Sequence, residues 1–229
     1  MKKYCIINTE NKKITKIFEK YGYICIPTEK SDKVSGPISC HADVLYLKTG
    51  ENEIYVSDCQ KSNISKLKKY GMKVKTVSLS PGYKTESMLN MVITEKSVIY
   101  NPKTATDIKK FSGDRQILKT NQGYTKCSTV VLPQENYITE DKGIYRLLSD
   151  NGKNCLLVEK GSVKLDGYQY GFIGGSSAFL EKENVLFFFG DISVHRDYKK
   201  ISAFCEKAGI DIMQIEGEPL TDIGGAVII

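Results

Sequence analysis

Hydrophobic and polar positions follow an order that recurs five times along the chain: a polar stretch of helical character, a glycine, and a short apolar strand. The glycines that end the polar stretches are Gly22, Gly71, Gly113, Gly152 and Gly209. Glycine at such a place adopts the left-handed backbone conformation that terminates a helix. The pattern therefore predicts five helices, each followed by a strand. These strands are predicted at residues 23–27, 72–79, 116–119, 154–159 and 210–215.

Each unit has room for two more strands before the next helix. A glycine-tyrosine turn opens three of these segments, at Gly82, Gly123 and Gly167. Helix-capping residues follow the strand pair, as at Thr104, which is predicted to start the third helix. The repeating unit is therefore ββαβ. Its first strands are predicted at residues 41–47, 87–94, 128–132 and 176–180, and their hairpin partners at 53–57, 97–100, 137–139 and 185–189.

The two ends of the sequence complete this scheme. Residues 4–8 form a predicted strand without a hairpin partner, and the apolar residues 225–229 form a first strand without a successor. Pairing the two would close a ring and remove exposed sheet edges. We therefore predict an α/β fold in which residues 1–229 form a single domain, a five-bladed, pseudo-symmetric ββαβ propeller with a central channel. A linear stack of two α/β domains is the alternative.

Composition narrows the class of protein. A hydrophobic fraction of 41% and a charged fraction of 26% are typical of a globular chain and exclude intrinsic disorder. The net charge of +6 comes from lysine, since the arginines are only Arg115, Arg146 and Arg196. Lysine is poorly suited to bidentate phosphate or base contacts, for which nucleic-acid readers usually use arginine, so we expect no nucleic-acid partner. No apolar run suits a membrane span or a signal peptide, so we expect no membrane partner.

The cysteines and glycines indicate neither a metal site nor a cofactor. Seven cysteines occur without a Cys-x-x-Cys pair, so we expect reduced thiols and a cytoplasmic location. No glycine-rich phosphate loop follows a strand into a helix, and no cofactor is predicted. A metal bound by His41, His195, Asp43 and Asp191 is an alternative to the prediction of no metal.

Several motifs resemble a known superfamily. Five ββαβ units closed by a terminal strand resemble the pentein fold of the guanidine-modifying enzymes, which include arginine deiminase, agmatine deiminase, dimethylarginine dimethylaminohydrolase and the amidinotransferases. The segment His41-Ala42-Asp43 resembles the His-x-Asp strand of these enzymes. The chain is most similar to a small pentein family of clostridial-type bacteria without an assigned activity. The motifs that carry this similarity are Phe172-Ile173-Gly174-Gly175, Gly190-Asp191…His195 and Asp222-Ile223-Gly224-Gly225.

The resemblance includes a departure. The enzymes carry a nucleophilic cysteine shortly after the last Gly-Gly, whereas residues 226–229 here are Ala-Val-Ile-Ile. The resemblance therefore implies a pentein-like protein without the standard catalysis. We expect it to bind a small polar or cationic ligand, such as a guanidine or an amide, or a macromolecular partner, at the central channel. The alternative is a hydrolase or amidinotransferase that acts on guanidines through a relocated Cys/His pair.

Polar residues at the starts of the first strands are the candidate site. Alternation places His41 and Asp43 on one face of a strand. The catalytic hypothesis assigns Cys127 as nucleophile, with a pKa lowered by Lys126, His41 as general acid/base and Asp43 as guanidinium anchor. The other interpretation is a polar pore without chemistry. The residues predicted to contact a ligand are Asn90, Ser128, Ser176, Asp191, His195, Asp222 and Gly225.

Two parts of this hypothesis have structural alternatives. The segment from Asp191 to His195 also suits the entry to the last helix, where a carboxylate accepts hydrogen bonds from first-turn amides. The recurring Tyr83, Tyr124 and Tyr168 suit packing between blades, with a cation-binding aromatic cage as the alternative.

Overall fold

The computed structural model describes residues 2–105 and 112–229, and within these ranges fifteen short strands form five sheets of three strands. The first sheet contains β15 (Val227–Ile228), β1 (Lys3–Ile7) and β2 (Tyr23–Pro27), in that order. The second to fifth sheets contain, in turn, β3 (Tyr46–Gly50), β4 (Glu53–Ser57) and β5 (Lys73–Val77); β6 (Val92–Ile93), β7 (Ser97–Tyr100) and β8 (Gln116–Lys119); β9 (Thr129–Leu132), β10 (Asn136–Thr139) and β11 (Asn154–Leu157); and β12 (Ser177–Leu180), β13 (Val185–Phe188) and β14 (Asp211–Met213).

All five sheets share one pairing pattern. The central strand pairs antiparallel with one neighbour and parallel with the other. A parallel pair needs a crossover, and helices supply it in the first, second, fourth and fifth sheets. The third predicted crossover helix, from Thr104 to Gly113, falls largely on residues 106–111, outside the described residues. The α-helices whose bounds lie within the described ranges are α1 (Lys12–Lys20), α2 (Ala42–Leu45), α3 (Lys61–Lys69), α4 (Tyr83–Glu86), α5 (Lys142–Asp150) and α6 (Tyr198–Lys207).

Helix α1 shows why these sequences form crossover helices. The side chain of Asn11 accepts a hydrogen bond from the Lys13 N–H and caps the first turn. Ile14 and Phe18, one turn apart, are fully buried, while lysines occupy the outer face. The helix ends before Gly22, whose φ of +79° suits glycine. Local signals of this kind make the helices predictable from the sequence.

The terminal strands pair as predicted. In the antiparallel pair of β15 and β1, Ile228 lies opposite Cys5 and Val227 lies opposite Ile6. The backbone groups of Tyr4 and Ile229 exchange two hydrogen bonds of 3.1 and 3.0 Å. Strand β15 thus takes the antiparallel position in the first sheet that β3, β6, β9 and β12 take in the others.

Five hydrophobic clusters in the described residues each join two sheets. One cluster joins the first and second sheets, through Ile6 and Ile54 among others. The next three join the second to the third, the third to the fourth and the fourth to the fifth. The last joins the fifth sheet back to the first, where Phe187 packs near Phe18. Apolar burial of this extent is the main source of stability in a fold of small sheets.

Two of the predicted first strands begin five residues later than expected. Residues 42–45 form the helical turn α2, because the N–H groups of Val44 and Leu45 donate to the carbonyl of His41. In the third sheet, β6 begins only at Val92. The expectation that His41 and Asp43 share the face of a strand is therefore wrong, since strand alternation does not apply within a helical turn.

Two other expectations concern thiols and membranes. All seven cysteines are free, as predicted. None of the helices in the described ranges is long and apolar enough to cross a bilayer.

Candidate functional site

Hydrogen bonds join the segments that precede the first strands of all five sheets in a cycle. Asn90 donates to the Asp43 carbonyl at 2.9 Å and accepts from the Cys127 N–H at 3.1 Å. Gly175 N–H donates to the Cys127 carbonyl at 3.0 Å. The cycle is completed by Gly225 N–H to the Gly175 carbonyl at 2.8 Å and by Asp43 N–H to the Gly224 carbonyl at 3.0 Å.

The side chain of Asn90 links the segments at Asp43 and Cys127 in this cycle. Its Nδ2 lies 2.9 Å from Cys127 Sγ as well as from the Asp43 carbonyl, and its Oδ1 also accepts from the Lys126 N–H at 2.8 Å. An asparagine side chain can donate two hydrogen bonds and accept two, so these contacts use its full capacity. Asn90 therefore positions Cys127 against Asp43.

His41, Asp43, Asn90, Cys127 and Asp222 form a buried polar cluster, in which Asp222 and His41 lie side by side. Asp222 accepts hydrogen bonds from the N–H groups of Phe172 at 2.9 Å and Gly224 at 3.0 Å. Burial raises the pKa of Asp222 to about 6, the nearby Asp43 raises it too, and His41 lowers it. His41 Nδ1 is 3.6 Å from Asp222 Oδ1, too far for a hydrogen bond, and has no other partner in the described part of the chain.

The surroundings of Cys127 raise the pKa of its thiol instead of lowering it. The side chain is 3% exposed, and burial is the largest of the effects that raise its pKa. The negative charges of Asp43 and Asp222 raise the pKa further. Lys126 does not offset these effects, and burial lowers its own pKa. The expectation of a lowered Cys127 pKa is therefore wrong, and the thiol is neutral at pH 7.

Asp43 has the least satisfied carboxylate of the cluster. It is 5% exposed, and neither carboxylate oxygen has a hydrogen-bond partner among the described residues. It lines a cavity of about 180 Å³ together with Lys126 and Gly225. The attraction between Asp43 and the Lys126 ammonium compensates part of the cost of this buried charge.

A second cavity has a volume of about 300 Å³ and borders three other members of the cluster. His41, Cys127 and Asp222 line it. Four aromatic side chains also line it: Tyr124, Tyr168, Tyr170 and Phe172. Aromatic faces beside a carboxylate form the kind of site that recognises an organic cation. We call this cavity the aromatic cavity.

The recurring tyrosines divide between packing and the cavity wall. Tyr83 packs edge-on against Tyr124, with ring centroids 5.6 Å apart, and its hydroxyl accepts from the Gly123 N–H. Tyr124 donates to Glu86 at 2.7 Å, so its ring is held in place. Tyr168 is 49% exposed at the edge of the aromatic cavity. Tyr170 and Phe172 are not among the ligand contacts predicted from the sequence, although both lie close to the Gly-Tyr turn at Tyr168.

Two residues that were predicted to contact a ligand donate hydrogen bonds to backbone carbonyls instead. Ser128 and Ser176 are fully buried and donate to the carbonyls of Tyr124 and Ile173, at 2.8 and 2.9 Å. They support the segments around the cluster, and neither lines the aromatic cavity.

Asp191 and His195 take the helix-entry alternative. Asp191 accepts from the N–H groups of Ser193 at 2.9 Å and Gly217 at 3.0 Å. His195 Nδ1 accepts from the Asp197 N–H at 3.0 Å, and burial lowers the His195 pKa. The structure therefore brings together His41, Asp43 and Cys127 with Asn90 and Asp222, whereas Asp191 and His195 accept hydrogen bonds from the segment before α6 and, for Asp191, also from Gly217 after β14.

Three solved enzymes of the pentein superfamily share this fold. The arginine dihydrolase ArgZ of the cyanobacterial ornithine-ammonia cycle aligns with a TM-score of 0.58 at 10% identity, over 96% of this chain. The chain spans only 37% of ArgZ. A dimethylarginine dimethylaminohydrolase aligns with a TM-score of 0.55 at 8% identity, covering 94% of this chain and 93% of its own. The agmatine deiminase of C. jejuni gives 0.52 at 9%, covering 93% and 86%.

Identities this low show the fold alone. No curated protein matches the sequence. One family model, described as a family of unknown function (DUF6873), matches residues 6–227. Because this match covers nearly the whole sequence, the chain belongs to the DUF6873 family.

Proposed function

We propose that the protein binds a small organic cation of the guanidinium or amidinium class in the aromatic cavity, without the standard pentein chemistry. The observation that carries this proposal is the Asp222 carboxylate in a cavity of about 300 Å³ walled by four aromatic rings. A planar cation can stack on an aromatic face while its N–H groups donate to a carboxylate. The fold shared with enzymes named for arginine and agmatine agrees with this ligand class.

We further propose that the five sheets are blades of a closed propeller around this cluster. Three observations support the ring. Strand β15 pairs with β1, the five hydrophobic clusters link each sheet to the next and the fifth to the first, and the hydrogen-bond cycle passes through the starts of all five units. The aromatic cavity and the cavity at Asp43 would then be two openings of one axial channel.

Titration with agmatine tests the binding proposal. We expect agmatine to raise the melting temperature and to bind with measurable heat in calorimetry. Asp222→Asn should weaken binding about ten- to a hundredfold, because it removes a charged acceptor. Asp166→Asn is the matched control, since Asp166 has a largely exposed side chain and does not line the cavity. Tyr168→Leu should also weaken binding, whereas Tyr168→Phe, which keeps the ring, should not.

The pH dependence of agmatine binding is a second readout on the unchanged protein. Asp222 must be ionised to attract a cation, and its pKa is raised to about 6. Affinity should therefore be constant above this pH and fall by up to about tenfold per pH unit below it. Absence of binding by agmatine, arginine and methylguanidine, or an affinity independent of both pH and Asp222, would contradict the proposal.

A guanidine hydrolase or amidinotransferase is the second candidate. It is favoured by the placement of Cys127 and His41 on the wall of the same cavity as Asp222. In that reaction the Cys127 proton passes to His41 and the thiolate attacks the guanidinium carbon. His41 returns the proton to the ammonia or amine that leaves, and water or an acceptor amine then attacks the adduct, breaks its C–S bond and releases the Cys127 thiol. The raised pKa of Cys127 disfavours the first step.

Ammonia release from agmatine and arginine separates the two functions. For a binding protein, the wild type and Cys127→Ser should both match the rate of a protein-free blank. An ammonia signal that disappears in Cys127→Ser would establish the hydrolase instead. Amidino transfer releases no ammonia, so it is tested separately, with added glycine as the acceptor amine and formation of guanidinoacetate as the readout.

A further inference from the structure

A larger cleft, of about 810 Å³, adjoins the aromatic cavity. Tyr170 and Phe172 line both spaces, so this part of the chain forms the wall between them. The cleft also includes Glu140, Lys142 and Lys160. Its volume lies within the range of small-molecule binding sites.

Glu140 has an unsatisfied carboxyl group at this cleft. The residue is 9% exposed, and its Oε1 accepts from the Ile173 N–H at 3.2 Å. Its Oε2 is buried and has no partner in the described part of the chain. A buried polar atom without a partner is costly, which makes it a marker for an absent ligand group or water.

The protonation of Glu140 decides which ligand group suits it. Burial raises its pKa to about 8; Asp222 and Asp141 raise it as well, and the Ile173 N–H and Lys160 lower it. At neutral pH Glu140 is therefore mainly a carboxylic acid, which needs an acceptor for its O–H. A carboxylate is a strong acceptor of this kind.

The other acidic side chains of the cleft already have partners. Asp141 accepts from two N–H groups at the start of α5. Glu159 lies 3.2 Å from the Arg196 guanidinium. The remaining acid, Asp197, lies 2.7 Å from Lys200.

Two cations of the cleft, by contrast, are uncompensated. Lys142 and Lys160 are exposed, and neither has a carboxylate within 4.0 Å in the described ranges. Lys160 lies over the Tyr170 ring, with Nζ 5.5 Å from its centroid. The cleft thus combines free positive charge at its edge, a buried hydrogen-bond donor and an aromatic wall.

We propose that this cleft is a second binding site, for a small organic carboxylate with an apolar body. The ligand carboxylate accepts hydrogen bonds from the Glu140 carboxylic acid and the Lys160 ammonium. The apolar part of the ligand packs against Tyr170 and Phe172. This site uses neither Asp222 nor His41 as a contact, although it shares the wall formed by Tyr170 and Phe172 with the aromatic cavity.

Benzoate is the probe, and an NMR titration of the ¹⁵N-labelled protein is the measurement. At pH 6.5 we expect benzoate to shift the amide signals of residues 140–143 and 170–173 with a dissociation constant on the order of millimolar. Neutral benzamide should bind at least about fivefold more weakly, because it lacks the charge that Lys160 attracts. Equal binding of the two compounds, or no saturable shift with benzoate, would overturn the proposal.

The affinity for benzoate should also fall as the pH rises through the pKa of Glu140. Above that pH a Glu140 carboxylate repels the ligand and no longer donates a hydrogen bond, so the loss approaches about tenfold per pH unit. The charged groups that act on the pKa of Glu140 are Asp222, Asp141 and Lys160. The other charged groups that line the cleft are Lys142, Glu159, Arg196, Asp197 and Lys200. The affinity of Glu140→Gln, which keeps a neutral donor, should be independent of pH over this range.

Lysine variants supply a test that does not depend on the fold around Glu140. Lys160→Met should weaken benzoate binding about two- to fivefold at pH 6.5. Lys182→Met is the matched control, because Lys182 is exposed in the β12–β13 hairpin, away from the cleft. Equal losses in the two lysine variants, or a Glu140→Gln protein with the wild-type pH profile, would refute the carboxylate site.

Discussion

Gly224→Ala should lower the free energy of unfolding by about 3 kcal/mol or more. Gly224 has a φ of +82°, which disfavours any side chain with a Cβ. An added Cβ would lie 2.3 Å from the Cβ of His41 and 2.4 Å from its Cα, so the backbone itself would have to move. Because Asp43 N–H donates to the Gly224 carbonyl, that movement would also break the hydrogen-bond cycle of the site.

Gly209→Ala is the control that isolates the steric effect. Gly209 has a similar φ of +70°, but an added Cβ would meet no atom within 4 Å. Its cost should be only that of the left-handed backbone, about 1 kcal/mol. Urea denaturation followed by circular dichroism measures both variants. Equal losses in the two would show that His41 does not pack against Gly224 as closely as described.

The strands that the sequence predicts best are those with strong local punctuation. Residues 53–57 and 116–119 coincide with β4 and β8, because a polar turn or a glycine stands on at least one side of each apolar segment. The segment at His41 could not be predicted in this way. Its helical turn is joined to the C-terminal segment by a hydrogen bond from the Asp43 N–H to the Gly224 carbonyl, a contact between residues far apart in the sequence.

The same division applies to the candidate site. His41, Cys127 and Asp222 could be selected because each lies at or shortly before the start of a predicted first strand, where the predicted propeller would bring polar residues together. The raised pKa of Cys127 could not, since it depends on burial and on the distant Asp43 and Asp222. Nor could the role of Glu140, because its burial depends on packing against the segment at Ile173. The residues of the site can thus be selected from local sequence patterns, whereas their pKa values depend on contacts between residues far apart in the sequence.

Phe187→Ala should cost about 3–5 kcal/mol of unfolding free energy, the range for deletion of a buried aromatic ring. Phe187 is fully buried, and its ring contacts those of Phe18 and Phe189 at centroid distances of 5.6 and 5.3 Å. Phe187→Leu, which keeps most of the apolar volume, should cost less than half as much. Thermal and urea unfolding of both variants provide the measurement.

A comparison with the neighbouring Phe188 tests which face of the fifth sheet packs against the first sheet. Successive residues of a strand face opposite sides, and Phe188 packs in the cluster that joins the fourth and fifth sheets, whereas Phe187 packs in the one that joins the fifth to the first. Both alanine variants should lose similar stability. Only Phe187→Ala should selectively speed native-state hydrogen exchange at Cys5 and Ile6, the residues of β1 that face β15. If Phe188→Ala speeds hydrogen exchange of the same amides equally, the stability of the first sheet does not depend on packing against Phe187. That result would contradict the proposed contact between the fifth and first sheets that closes the ring.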